Sequence, residues 1–154
     1  MAVNRIRIAK DKAELVQALV DGKGKTGPFQ TYADVMVFAA SMGAKRKKRS
    51  PIGAISSEPA PIGLEIFISR GYDLMFKLLA IAETKDPTIL SVYDPSAETK
   101  RVRIFEEYAN GGLEILRDEL RGAVDYYERL LLILNQERFK GESTEEEFDL
   151  TRFL

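Results

Sequence analysis

The sequence predicts one mainly α-helical domain that opens with a short strand, in a ribbon-helix-helix-like start, and carries a long C-terminal helix in a bundle. Three observations predict it. Its 154 residues, 45% hydrophobic and 31% charged, suit one compact globular domain. Apolar residues recur at three- and four-residue spacings through most of the chain. Alternation with a period of two is confined to Asn4-Arg5-Ile6-Arg7-Ile8, where the arginines face one way and the isoleucines the other.

Each element has its own justification. Asp11 stands three residues before Glu14 in a capping-box spacing, and Leu15, Val16, Leu19 and Val20 form one stripe, so a helix is expected at 11–21 with Gly22 as its stop. Gly22 to Gln30 reads as a turn-rich loop. Thr31 and Asp34 repeat the capping spacing before Val35-Met36-Val37-Phe38-Ala39-Ala40, a helix apolar nearly all round and hence buried. Three prolines and two glycines make 50–63 an irregular connector. Residues 64–68 fit a strand or a helical turn. A helix from Tyr72 to Glu83 is expected to turn Leu74, Met75, Leu78, Leu79 and Ala82 inward. Asp86-Pro87 and Asp94-Pro95 each pair an N-cap with a proline at the first helical position, with 88–94 between them open. Leu113, Leu120, Tyr127 and Leu134 recur every seven residues, with Leu116, Ala123 and Leu130 offset by three, and predict a seam over 113–134. Gly111-Gly112 is expected to break or kink that helix away from one ending near Tyr108. The domain then spans 1–140, with a basic part at 1–54 and a bundle part at 64–140. Residues 141–154 form an acidic tail with Phe148, Leu150, Phe153 and Leu154 interleaved, either a plain terminus or a docking peptide.

Composition removes most chemistry. The chain has no Cys, His or Trp, so disulfides, thiol and Ser-His catalysis, and Cys- or His-based metal sites are excluded. No Walker or dinucleotide loop occurs, and no cofactor is expected. Phe29, Tyr32, Phe38, Phe67 and Tyr72 read as core rather than as base-stacking platforms. Neither a targeting segment nor a membrane-spanning run is visible, which gives a cytoplasmic expectation. Glu98-Thr99-Lys100, with Asp86 or Asp94 upstream, matches the short acidic-x-Lys pattern of metal-dependent nucleases, as does Glu83-Thr84-Lys85. Both copies fall at helix ends, where solvated side chains explain them, and a nuclease stays a remote alternative.

The net charge of −1 conceals a division: residues 1–54 hold 11 Lys/Arg and 4 Asp/Glu (+7), and residues 55–154 hold 12 and 20 (−8). Such asymmetry suits a polyanion-facing part joined to a part with another task. Arg5 and Arg7 would point outward from the strand, as in ribbon-helix-helix folds whose paired strands enter the major groove. Lys45, Arg46, Lys47, Lys48 and Arg49 place five consecutive cations behind a buried helix, and such a run binds phosphates by counterion release. A solvated loop, or a patch neutralised by the acidic half, explains the same run without DNA. A chain whose own carboxylates mask the cluster would instead be a protein-interaction adaptor without DNA affinity.

Gly27-Pro28-Phe29-Gln30-Thr31-Tyr32-Ala33-Asp34, the run to Gly43 with its basic successor, and Ile104-Phe105-Glu106-Glu107-Tyr108-Ala109-Asn110-Gly111-Gly112-Leu113-Glu114-Ile115-Leu116 resemble the bacterial family called DNA phosphorothioation-associated protein 4, found with Dnd modification and restriction systems. The resemblance covers about residues 4–138 and brings no catalytic residues with it. It implies a prokaryotic intracellular protein working near modified DNA beside larger enzymes. The resulting expectation is a non-catalytic, DNA-binding accessory protein. Its partners would be DNA phosphates, other proteins of the phosphorothioation system and a second copy of itself.

Overall fold

A computed structural model describes residues 4–21 and 27–138. The chain divides into two compact units, Met1–Glu119 and Leu120–Leu154. The first begins with β1 (Arg5–Ile6), a single 3₁₀ turn (Lys10–Lys12), α1 (Ala13–Ala18) and α2 (Tyr32–Lys45). It continues through β2 (Ile62–Gly63), α3 (Leu64–Ser69), α4 (Asp73–Thr84), a 3₁₀ turn (Pro87–Leu90) and α5 (Pro95–Glu119). Helix α6 occupies 126–138 in the second unit. The mainly helical class and the short N-terminal strand are as the sequence predicts.

The strand's ribbon partner lies within the chain. β1 pairs antiparallel with β2, Arg5 opposite Gly63 and Ile6 opposite Ile62. The irregular connector continues the pairing, with Ser56 N–H donating to Ile8 C=O at 2.7 Å and Lys10 N–H to Ala54 C=O at 2.9 Å. On the opposite edge Arg7 N–H donates to the Glu106 carboxylate of α5 at 2.8 Å. One edge of β1 is therefore paired in cis, and the outward N–H of Arg7 on the other is spent on a side chain. The two-chain ribbon would need that edge open.

Helix starts follow the caps, with one exception. Thr31 Oγ1 accepts from Asp34 N–H at 3.2 Å at the head of α2. Asp86 caps its 3₁₀ turn through Thr88 N–H at 3.0 Å, and Asp94 caps α5 through Ser96 N–H at 2.9 Å. Asp11 does not cap α1: the helix begins only at Ala13, after a 3₁₀ turn, and Asp11 instead pairs with Lys12 and Arg117. Residues 64–68 are helical, and the open stretch before Asp94 begins with the 3₁₀ turn.

Helix α5 organises the first unit. It runs unbroken through Gly111 and Gly112, where a break was expected. Glycine costs about 1 kcal/mol in a helix relative to alanine, but here it lets α2 approach closely. A Cβ on Gly112 would lie 1.6 Å from Ala39 O, and one on Gly43 2.1 Å from Tyr108 O. Leu113 and Leu116 are buried on α5, but the heptad helix does not continue to 134: α5 ends at Glu119 and a turn at Gly122, with φ +76°, precedes α6. In α6 Leu130 and Ile133 are buried, whereas Tyr127 and Leu134 are exposed.

An aromatic cluster fixes α3 and α4 on α5. Phe76 stacks on Phe105 with centroids 3.9 Å apart, and Phe67 meets both edge-on at 5.3 and 5.5 Å. Phe76 sets the rotation of α4, burying Leu79 and Ala80 with it. Leu74 and Leu78, expected inside, are consequently exposed.

Candidate nucleic-acid interface

The basic run begins where α2 ends. Lys47, at φ +54°, takes the left-handed position of a Schellman motif, with Lys48 N–H donating to Gly43 C=O at 2.8 Å and Lys47 N–H to Ala44 C=O at 3.2 Å. The motif turns the chain so that 48–51 lie back along α5. Ser50 N–H donates to Glu107 C=O at 3.0 Å, and Asn110 Nδ2 donates to the carbonyls of Ser50 and Pro51. A Cβ on Gly111 would lie 2.1 Å from Lys48 O, so this glycine also makes room for the turn.

Lying along α5 brings the cations onto carboxylates. Arg46 pairs with Glu119 at 2.8 Å and Lys48 with Glu114 at 3.3 Å. Arg49 bridges two helices, reaching Glu83 of α4 and Glu107 of α5, each at 2.8 Å. Arg7 grips Glu106 through Nε and Nη2. Glu106 is only 2% exposed, and the bidentate guanidinium supplies the compensation a buried carboxylate requires. Lys12, also 2% exposed, donates to Asn110 Oδ1 at 2.9 Å and Glu114 Oε1 at 3.2 Å. Lys45 is engaged too. Arg5 and Lys47 are exposed and, among the described residues, make no ion pair.

These pairings shift titrations. The hydrogen bond to Glu106 holds the Arg7 guanidinium above its ordinary pKa. For Glu114, burial favours the neutral acid, but hydrogen bonds from Lys12 and Lys48 outweigh it and leave the group below the usual range. A hydrogen bond from Tyr108 lowers Glu83 against its burial, with Arg49 assisting. A second tyrosine–carboxylate–arginine set joins α2 to the α3–α4 turn. Asp34 accepts from Tyr72 Oη at 2.5 Å and from Arg70 Nη2 at 2.9 Å.

Of the seven predicted contact residues, Arg46, Lys48 and Arg49 pair along α5 with Glu119, Glu114 and Glu107, Arg7 pairs with the adjacent Glu106, Arg5 sits on β1, Lys45 ends α2 and Lys47 lies in the turn after it. The glutamates at 83, 106, 107, 114 and 119 were the residues missed. Their signal in the sequence is the opposite excess of charge in the two halves, which fits two separate tasks and equally a basic patch neutralised by the acidic half. The acidic-x-Lys residues are occupied otherwise: Glu83 by Arg49, Glu98 by Asn4 at 2.7 Å, and Asp86 and Asp94 by their caps. Among the described residues no group of three acidic side chains has the geometry to hold a metal ion. No helix there is long and apolar enough to cross a membrane. The acidic tail and the loop at 22–26 lie outside the described residues.

Fold and site together define a small, mainly helical protein whose basic segment is stapled to its own acidic helix. The chain belongs to the family of DNA sulphur modification system-associated protein 4, whose model matches residues 5–153. The match takes in most of the acidic tail, which the sequence resemblance had left outside. No curated protein and no solved structure matches the chain.

Proposed function

We propose that the protein is a non-catalytic accessory of a DNA sulphur modification system and works as an adaptor through protein contacts. One observation carries this reading. Arg7, Arg46, Lys48 and Arg49 spend their charge on Glu106, Glu119, Glu114, Glu83 and Glu107 of the same chain. A phosphate would have to displace a carboxylate already in place, which removes much of the gain from counterion release. Affinity purification from a host carrying the modification system tests it. The adaptor should bring down proteins of the system, and their recovery should survive exhaustive nuclease treatment. Recovery that disappears with the DNA would overturn the reading.

A second reading, direct DNA binding, is favoured by one observation: Arg5 and Lys47 stand exposed and, among the described residues, without an ion-pair partner. Alanine at these two positions would then lower duplex affinity and reduce its salt dependence.

A further inference from the structure

A cleft of about 180 Å³ opens between α3, α4 and the first turns of α5. Leu64, Ile68, Phe76, Val92 and Val102 form its apolar walls, and Asp73, Lys77 and Glu98 share the lining with them. Arg101 also lines it and is only 7% exposed. Its Nη1 donates to the carbonyls of Ile89 and Ser91 at 2.6 and 2.9 Å, and among the described residues it has no carboxylate partner. No buried side-chain nitrogen among the described residues lacks a hydrogen-bond partner. Nε and Nη2, which donate to nothing among the described residues, therefore keep some contact with solvent, and Arg101 lines the cleft.

Asp73, Lys77 and Glu98 carry the other charges of the lining. Lys77 pairs with Asp73 at 2.9 Å, and Glu98 accepts from Asn4. A guanidinium this buried, facing only carbonyl dipoles on one side, favours a carboxylate on the other, where its planar fork binds two oxygens. The rim adds apolar surface. Val92 and Tyr93 are 66% and 93% exposed on a short loop, and Ile68 is half exposed opposite them. Ser91 Oγ accepts from Tyr93 N–H and Asp94 N–H, so the loop is held before any partner arrives. An exposed aromatic on a preorganised loop beside a pocket is the usual anatomy of a binding hot spot.

We infer that this cleft docks an acidic side chain flanked by apolar residues on a partner protein. The carboxylate would meet Nε and Nη2 of Arg101, and its apolar neighbours would cover Ile68, Val92 and Tyr93. The inference rests on the adaptor reading for the nature of the partner, but its test does not involve DNA or the modification system.

The probe is a blocked hexapeptide alternating aspartate with leucine and phenylalanine, titrated into the ¹⁵N-labelled full chain. The Arg101 Nε–H signal and the amides of Ile68, Val92 and Val102 should shift together in a saturable way. An asparagine-for-aspartate peptide should bind about tenfold more weakly. Because Arg101→Met also loosens the loop it holds, V92S and Y93A serve as surface variants. Each should weaken the peptide several-fold while leaving the remaining spectrum in place. Absent shifts at millimolar peptide, equal binding of the asparagine peptide, or full affinity in both rim variants would each overturn the site. Nuclease-sensitive recovery in the purification above would overturn the adaptor reading and leave this result intact.

Discussion

At the scale of single residues, Gly43, Gly111 and Gly112 set how closely α2 and the basic turn approach α5. A methyl on Gly112 would penetrate the Ala39 carbonyl, whereas one on Gly53 would meet nothing within 4 Å. Gly112→Ala should therefore cost about 3 kcal/mol or more in urea unfolding, and Gly53→Ala should be neutral within about 1 kcal/mol. Lys47 offers the opposite sign. Its left-handed backbone costs an L-residue about 1 kcal/mol, and its side chain makes no ion pair that glycine would forfeit. Lys47→Gly should raise stability by about 0.5–1 kcal/mol by the same measurement. In the sequence, Gly111-Gly112 looked like punctuation, because propensity is a property of the isolated segment. Whether a glycine breaks a helix or admits a neighbour depends on a partner 70 residues away, which no local pattern records.

At the scale of elements, α5 is the member to which the rest of the first unit is fastened. Charged staples from Arg7, Lys12 and the basic turn meet its glutamates, Arg49 ties Glu83 of α4 to it, and the phenylalanine cluster seats α3 and α4. Phe105→Ala removes the central ring of that cluster and should destabilise by about 3–5 kcal/mol. The staples predict a pH dependence. Glu83, Glu114 and Asp34 have folded pKa values below their ordinary ones, so they stabilise the fold above the unfolded carboxylate range near about pH 4. That contribution disappears as the pH falls through the folded values. Tyr72 and Tyr108 are raised, Tyr72 chiefly by its hydrogen bond to Asp34 and Tyr108 chiefly by burial. Their contribution is intact below about pH 10 and is lost as the pH rises through the folded values. Urea unfolding across acid pH should show a steep loss of stability, and Glu114→Gln should flatten it. Elements were legible where a local cause decides them: Thr31, Asp86 and Asp94 cap as their spacing indicates. The face of α4 was not legible, because burial of Leu74 or of Phe76 satisfies a helical period equally well. Only the ring stack on α5 chooses between them.

At the scale of the whole molecule, the sequence displays a basic half and an acidic half, and the first unit sets the basic segment against glutamates of α4 and α5. The excess of +7 in residues 1–54 therefore reports internal complementarity as much as a surface for polyanions. The candidate residues were all legible, because runs of charge are visible by inspection. Their partners were not, since pairing Arg49 with Glu83 and Glu107, or Arg7 with Glu106, depends on the path of the chain through α5. Family membership adds the setting, a DNA sulphur modification system, and leaves the mode of action to chemistry.

The most direct test of that self-neutralisation is a fluorescence titration of duplex DNA, ordinary and phosphorothioated, with the intact chain and with a Glu83→Gln/Glu107→Gln/Glu119→Gln variant at several salt concentrations. The account predicts weak, featureless binding by the wild type. The variant, which lacks the carboxylates that Arg49 and Arg46 meet at Glu83, Glu107 and Glu119, should gain affinity with a log–log salt slope steeper by up to about 2. Tight binding by the wild type that is abolished by alanine at Arg46, Lys48 and Arg49 would contradict it.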